Sequence, residues 1–218
     1  MRIDKDSYGT IFWVCLSIAV IIAAVMVFVP NFAVSIPISA GLFVFMCFVV
    51  CFHRVPVRKK IGTDKIVTSV ADGKVVILER AYENEYLKTD CIQVSIYMDF
   101  FDVHANFWPM TGTVSYYKYH PGKYLLAFKP KASEENEHSS TAIRSKYGEV
   151  FFKQIAGTFA RRIVCYSKEG AQETAGEQMG IIKFGSRIDM FFPLDAEIKV
   201  KKGDYTRACE TVIAELKG

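Results

Sequence analysis

Between Ser7 and Phe52 the sequence contains no aspartate, glutamate, lysine or arginine. All 27 basic and 23 acidic residues of the 218-residue chain lie in the short N-terminal head or after residue 52. So uneven a distribution argues against a chain that is soluble throughout. Paired cysteines are missing too. None of Cys15, Cys47, Cys51, Cys91, Cys165 and Cys209 stands at C-x-x-C spacing and three fall in the apolar region, which argues against a disulfide framework or a zinc site. A large excess of one charge is also absent: the net +4 is too mild to suggest a nucleic-acid partner. No A-x-A-like site with a polar start follows the first apolar run, which speaks against a cleaved signal peptide.

The charge-free region holds two apolar runs, Thr10 to Val29 and Phe32 to Phe52, with Pro30-Asn31 between them. A spanning helix needs about 20 residues, so the pattern predicts a transmembrane helical hairpin, with Pro37 able to tilt the second segment or make it re-entrant. Arg2 and Lys5 flank one end, and His53, Arg54, Arg58, Lys59 and Lys60 flank the other. The positive-inside bias then puts both flanks on the cytoplasmic side of the cell's inner membrane. The expected organisation is a membrane anchor over residues 1–53 and a cytoplasmic β-rich domain over 54–218. The basic cluster also suits an anionic lipid surface.

After Ile61 short strand-like runs alternate with turn residues: Lys74 to Leu78, Cys91 to Tyr97, Gly112 to Tyr119, Tyr124 to Phe128, Glu149 to Ala156 and Arg161 to Tyr166. Helical periodicity is scarce, so the fold class is mainly β. The polar stretch Ser133 to Ser140 predicts an exposed loop, and Tyr119-His120-Pro121-Gly122 a β-turn with a structural histidine. Two segments, Gly170 to Glu177 and Gly203 to Glu210, share a G-x-x-x-x-A-[GC]-E pattern, and each leads into a strand. They predict two similar β-corners. The pattern resembles the units of biotinyl and lipoyl domains, and implies a sandwich-like hybrid barrel. A membrane-tethered carrier domain is therefore one functional reading, with Lys183 as the only comparable position for a modified lysine.

A second reading starts at Gly185-Ser186, between the apolar runs Ile181 to Phe184 and Ile188 to Phe192. Taken alone, such a pair marks a tight bend between strands. Taken in order with Val70-Ala71-Asp72-Gly73, Phe101 to Pro109, Gln154 to Gly157 and Ala160 to Ile163, it resembles the short form of the phosphatidylserine decarboxylase family. His53 to Arg58 is similar to that family's entry motif, with Val55 where an acidic residue is more usual. The resemblance runs from about Phe52 to the C-terminus.

This resemblance implies a self-cleaving proenzyme. The bond Gly185–Ser186 would break to leave a large chain 1–185 and a small chain 186–218, and Ser186 would become a covalent pyruvoyl group, the only cofactor. It also implies decarboxylation of phosphatidylserine to phosphatidylethanolamine and CO2 through a Schiff base, with no metal. Ser186 would be the nucleophile, His104 its base and later a proton donor, and Asp72 the orienter of His104. A serine hydroxyl needs such a base, and a histidine held by a carboxylate is the common arrangement. Phe107 stands where longer members carry a second histidine, so either His104 serves alone or one of the two histidine roles is absent. Asn136 and His138 fall where the family has an N-E-R-N-like stretch, without its arginine. Arg161 or Arg162 could reach a lipid phosphate, though adjacent strand residues face opposite sides. A related serine phospholipid is an alternative substrate. A homodimer is one assembly open to the chain, and no motif fixes the oligomeric state.

Overall fold

The computed structural model describes residues 1–125, 135–157, 162–183 and 186–217. The chain divides into two compact units, Met1–Pro56 and Val57–Gly218.

The first unit is built on the two apolar runs. They form α1 (Tyr8–Phe28) and α2 (Phe32–Phe52), both long and apolar enough to cross a membrane. Asn31 starts the second helix, its side chain accepting the Ala33 N–H at 3.0 Å, the usual job of an N-cap residue. Pro37 sits in the second turn and α2 continues through it. Phe12, Trp13, Phe43 and Phe45 are all more than half exposed. At the base of the helices, β1 (Arg2–Ile3) pairs antiparallel with β2 (Arg54–Val55), and the Asp4 N–H reaches the His53 carbonyl at 3.0 Å. Asp4 is fully buried and accepts from the Ser7 hydroxyl at 2.9 Å.

The second unit is mainly β. In chain order its strands are β3 (Ile66–Thr68), β4 (Gly73–Glu83), β5 (Thr89–Met98), β6 (Ala105–Phe107), β7 (Gly112–His120), β8 (His138–Ser145), β9 (Gly148–Ala156), β10 (Ile163–Cys165), β11 (Gln172–Glu173), β12 (Gln178–Ile182), β13 (Ser186–Phe192), β14 (Glu197–Ile198), β15 (Tyr205–Thr206) and β16 (Val212–Glu215). Among the described residues the largest sheet runs β11-β7-β8-β9-β13-β5-β4-β15, beside two three-stranded sheets, β10-β12-β6 and β14-β16-β3. On β13, Ile188, Met190 and Phe192 join the main apolar core with Ile96, Met98, Trp108 and Phe152. The alternate residues Arg187, Asp189 and Phe191 point to the other face. That face is covered near its middle by a smaller cluster of Cys91, Ala142, Phe151 and Phe191, against which Tyr86, Leu87 and Tyr116 pack. Burial on both faces makes β13 buried along its whole length.

Two of the sequence expectations need correction. Of the stretch Ser133 to Ser140 expected as an exposed loop, residues 133 and 134 lie outside the described residues and Glu135 is half-buried, but Asn136 to Ser140 are all buried, and His138 opens β8 between β7 and β9. The run is polar because its side chains have partners. Ser139 donates to Gln154 at 2.7 Å, and Ser140 to Glu85 at 2.8 Å. His120 is likewise the last residue of β7, opposite His138, because ladder pairing extends past the point where Pro121 suggested a turn. Of the expected strand Tyr124 to Phe128, Tyr124 and Leu125 lie outside any strand and the rest falls outside the described residues. The two β-corners do share backbone geometry. Gly170 and Gly203 have φ of 83° and 101°, and Gly176 and Cys209 have φ of 87° and 66°; each corner then enters a strand, β12 or β16.

The β4–β5 turn carries Glu85 onto the second face of the sheet. Burial alone would raise its pKa, but Lys153 at 2.9 Å, Ser140 at 2.8 Å and His120 at 2.7 Å outweigh that and hold it at about 2. A carboxyl depressed below its ordinary value of 4.5 stabilises the fold fully above that pH, and the contribution fades as pH falls toward 2. In detergent solution the unfolding midpoint of the wild type should therefore drop between pH 4.5 and 2, and Glu85→Gln should be less stable at neutral pH with a shallower acid limb. Parallel acid limbs in the two proteins would contradict this account.

Candidate active site

Ser186 opens β13, directly opposite Met98 of β5 and Ala156 of β9. It is fully buried, on the core face, and its hydroxyl lies 3.6 Å from the Met98 sulfur. Thioether sulfur is a weak acceptor, so this contact leaves the oxygen's reactivity little altered. Phe184 and Gly185 lie outside the described residues. The strand that leads to them, β12, runs beside His104: the Ile182 N–H donates to the His104 carbonyl at 3.2 Å. Gly180 permits close packing on this strand, since a Cβ there would stand 2.0 Å from the Val164 carbonyl.

His104 immediately precedes β6 and is fully buried. Its Nδ1 lies 3.1 Å from the Asp102 carbonyl. A carbonyl can only accept, so in the neutral ring Nδ1 carries the proton and Nε2 presents its lone pair. Asp72 reaches the same neighbourhood through backbone pairing, because the Phe107 N–H donates to the Val70 carbonyl at 2.9 Å. Next to Asp72, Gly73 has a φ of 145°, and a Cβ there would lie 2.2 Å from the Tyr97 carbonyl. Only glycine allows β4 to begin that close to β5.

The Asp72 carboxylate is gripped by Arg58. One guanidinium nitrogen meets Oδ1, the other meets Oδ2 at 2.6 Å, and the Ala208 N–H adds a third donor at 2.8 Å. Burial opposes the charge on Arg58, but the pairing with Asp72 and the more distant Glu210 outweigh it and raise its pKa. The guanidinium also lies 6.0 Å from the Phe107 ring centroid. The structure thus corrects the reading of Arg58 as a flanking topological charge, since its side chain is only 4% exposed and committed to Asp72. Nearby Cys209 is no rival nucleophile: burial, opposed by Arg58 and assisted by Asp72, pushes its thiol up to about 12.

Sequence reasoning missed a polar network behind Ser186. Asn106 accepts from the Gln154 amide at 2.8 Å, Gln154 accepts from Ser139, and the Asn106 amide approaches the Met98 sulfur at 3.9 Å. Asn136 donates to the Ala156 carbonyl at 2.6 Å, and Glu137 accepts from the Tyr124 hydroxyl at 2.6 Å and the Ile163 N–H at 3.3 Å. Glutamine inside the apolar run Val150 to Ala156 was the available signal, because a buried polar side chain needs partners. Arg187 and Asp189 form a fully buried ion pair at 2.8 Å on the opposite face of β13. Arg161 lies outside the described residues, and the Arg162 carbonyl accepts the Lys183 N–H at 3.1 Å. Lys183 is 8% exposed, which removes the carrier reading, since a modified lysine must be presented to partner enzymes.

Residues 45–214 match the family model described as phosphatidylserine decarboxylase. The chain is 40% identical over 218 residues to a phosphatidylserine decarboxylase proenzyme of Cytophaga hutchinsonii, covering 99% of each chain. It is 46% identical over 166 residues to the protein so named in Amoebophilus asiaticus, covering 76% of this chain and 74% of that one. A third, from Bacteroides thetaiotaomicron, is 42% identical over 191 residues, with 87% of this chain and 82% of the relative covered. With Ser186 at the head of a buried strand and β12 running beside His104, these matches establish that the chain belongs to the phosphatidylserine decarboxylase family.

Proposed function

We propose that the chain is the proenzyme of a membrane-anchored phosphatidylserine decarboxylase that cleaves itself between Gly185 and Ser186. The observation that carries this reading is the position of Ser186, at the first residue of a strand paired on both sides. A chain break just before it removes no ladder partner, so the fragment from 186 onward stays in place. In the cleavage the Ser186 hydroxyl oxygen attacks the Gly185 carbonyl carbon and displaces the amide nitrogen, giving an ester. His104 Nε2 is the base that takes the hydroxyl proton, with Nδ1–H anchored on Asp102. β-Elimination then expels the Gly185 carboxylate and leaves a dehydroalanine, which water converts to a pyruvoyl group with loss of ammonia.

The site suits that group. It would sit at the buried head of β13, where the core and the Asn106–Gln154 pair exclude bulk water. When formed, the pyruvoyl supplies an electron sink for loss of CO2 from a serine head group. His104 holds the proton to be returned to the substrate's α-carbon, the task of a general acid. Asp72 acts as an orienter through the chain segment: with Arg58 it fixes residues 70–72, whose Val70 carbonyl holds Phe107, three residues past His104. The apolar hairpin keeps the site at a bilayer, where phosphatidylserine resides, with the β domain on the cytoplasmic side of the inner membrane.

Three outcomes test this reading. On a denaturing gel the purified protein should run as two chains, the smaller one blocked to Edman sequencing, and Ser186→Ala should give one uncleaved chain without activity. An active, uncleaved wild type would remove the mechanism. His104→Ala should accumulate proenzyme, and Asp72→Asn should do so less completely. A His104→Ala protein matured by supplying the group chemically should release phosphatidylethanolamine at least about a hundredfold more slowly than the wild type, the scale of a lost general acid. Normal turnover there would confine His104 to self-cleavage. Finally, the full chain should remain in the membrane after alkaline carbonate, with both termini protected from protease added outside intact cells. Cleavage of either terminus from outside would reverse the assigned side.

A further inference from the structure

Glu85, His120 and His138 come from three separate segments, the β4–β5 turn, the end of β7 and the start of β8. One ligand atom from each lies within 4.8 Å of the other two. They occupy the face of the large sheet opposite Ser186, because His138 is in register with Ile155 and, through it, with Arg187. Nothing in the proposed chemistry uses them.

Their hydrogen bonds are those of a ligand set. His138 Nδ1 lies 2.7 Å from the Asn136 carbonyl, so the neutral ring donates there and presents Nε2 as a lone pair. Metal-bound histidines are held in this way, the other ring N–H donating to a carbonyl or carboxylate. The His138 ring stacks on that of His120 at 4.4 Å and 13°, and since each imidazole lone pair lies in its own ring plane, one ring must turn out of this stack for both to meet one ion. His120 Nε2 lies 2.7 Å from Glu85 Oε1, which also accepts from the Tyr116 hydroxyl at 3.1 Å. The second Glu85 oxygen is held by Ser140 and by Lys153, leaving Oε1 for monodentate binding. Lys153 is shared with Glu83 at 3.8 Å, so two carboxylates face one lysine and the surroundings favour an added cation.

We propose that Glu85, His120 and His138 bind one divalent transition-metal ion of the zinc type, with water as the fourth ligand. Two imidazoles and a carboxylate suit zinc and cobalt, whereas magnesium and calcium prefer all-oxygen shells. Tetrahedral ligands at about 2.0–2.1 Å from zinc stand roughly 3.3 Å apart. The His120–Glu85 pair therefore opens slightly and the widest pair closes, with the metal replacing the proton between His120 and Glu85. The ion ties together three segments, one of which also holds the Ala156 carbonyl through Asn136. Its role is structural and independent of the decarboxylase reading.

The test uses the full-length wild type in detergent, freed of metal with EDTA and titrated with cobalt(II). Expected are visible d–d bands of four-coordinate intensity that saturate at one cobalt per chain and are abolished by equimolar zinc. His120→Ala and His138→Ala, checked for folding by circular dichroism, should each weaken binding by more than about a hundredfold, beyond the loss from disturbing an outer partner. The zinc form of the wild type gives a readout free of any folding defect: its X-ray absorption should show two imidazoles and oxygen ligands, with no sulfur. A wild type without saturable cobalt bands, unchanged binding in both histidine variants, or sulfur in the zinc shell would overturn the site.

Discussion

The pairing of β13 on both edges is the constraint on which the rest of the second unit depends. From Ser186 to Phe192 each residue is matched to β5, and from Ser186 to Phe191 to β9. Register in such a strand cannot drift, because a one-residue slip would turn Arg187 and Asp189 into the apolar core and expel Ile188 and Met190 from it. The Arg187–Asp189 pair raises the cost of that error, since separating two charges inside a low-dielectric interior is far less favourable than burying them together. Ser186 consequently has one position relative to His104, set by ladders and not by its own hydrogen bond to a sulfur atom.

Around that strand, polar side chains are buried in numbers a simple hydrophobic core would not tolerate, and each group of them serves a connection between elements. Asn106, Gln154 and Ser139 link β6, β9 and β8 on the core face. Glu137 and Asn136 tie the entry of β8 to Tyr124, Ile163 and Ala156. Arg58 and Asp72 join the beginning of the unit to Ala208 near its end. Such networks are strong when every member is partnered and costly when one is lost, which makes them specific about geometry in a way apolar contacts are not.

This same economy explains what the sequence disclosed and what it hid. The hairpin was legible because a charge-free run of that length has one common physical explanation, and most strands were legible from alternation. The two β-corners were visible because glycine at a left-handed position leaves a mark, even where Cys209 takes the second place. Asn136 to Ser140 misled because polarity was read as exposure, whereas partners supplied by Gln154, Glu85 and Tyr124 are far away in sequence. Arg58 misled for the opposite reason: its neighbours in sequence are flanking charges, and its true partner Asp72 is brought to it only by the fold. The residues of the candidate site were found through their order and neighbours along the chain, while Asn106, Gln154 and the Glu85–His120–His138 cluster needed the sheet register to become adjacent.

The small ladder between Arg2–Ile3 and Arg54–Val55 constrains any crossing of a bilayer by α1 and α2. Backbone hydrogen bonds between the residues before α1 and those after α2 can form only if both segments end in the same aqueous compartment. An odd number of crossings would leave the N–H and C=O groups of one strand on the wrong side of the hydrocarbon, with no partner within reach. The ladder, with buried Asp4 and its bond to Ser7 beside it, therefore acts as a clasp that admits two crossings or none. Were α1 and α2 to cross a bilayer, their orientation would be decided for the pair as one object, and a mistake in the first helix would carry the second with it.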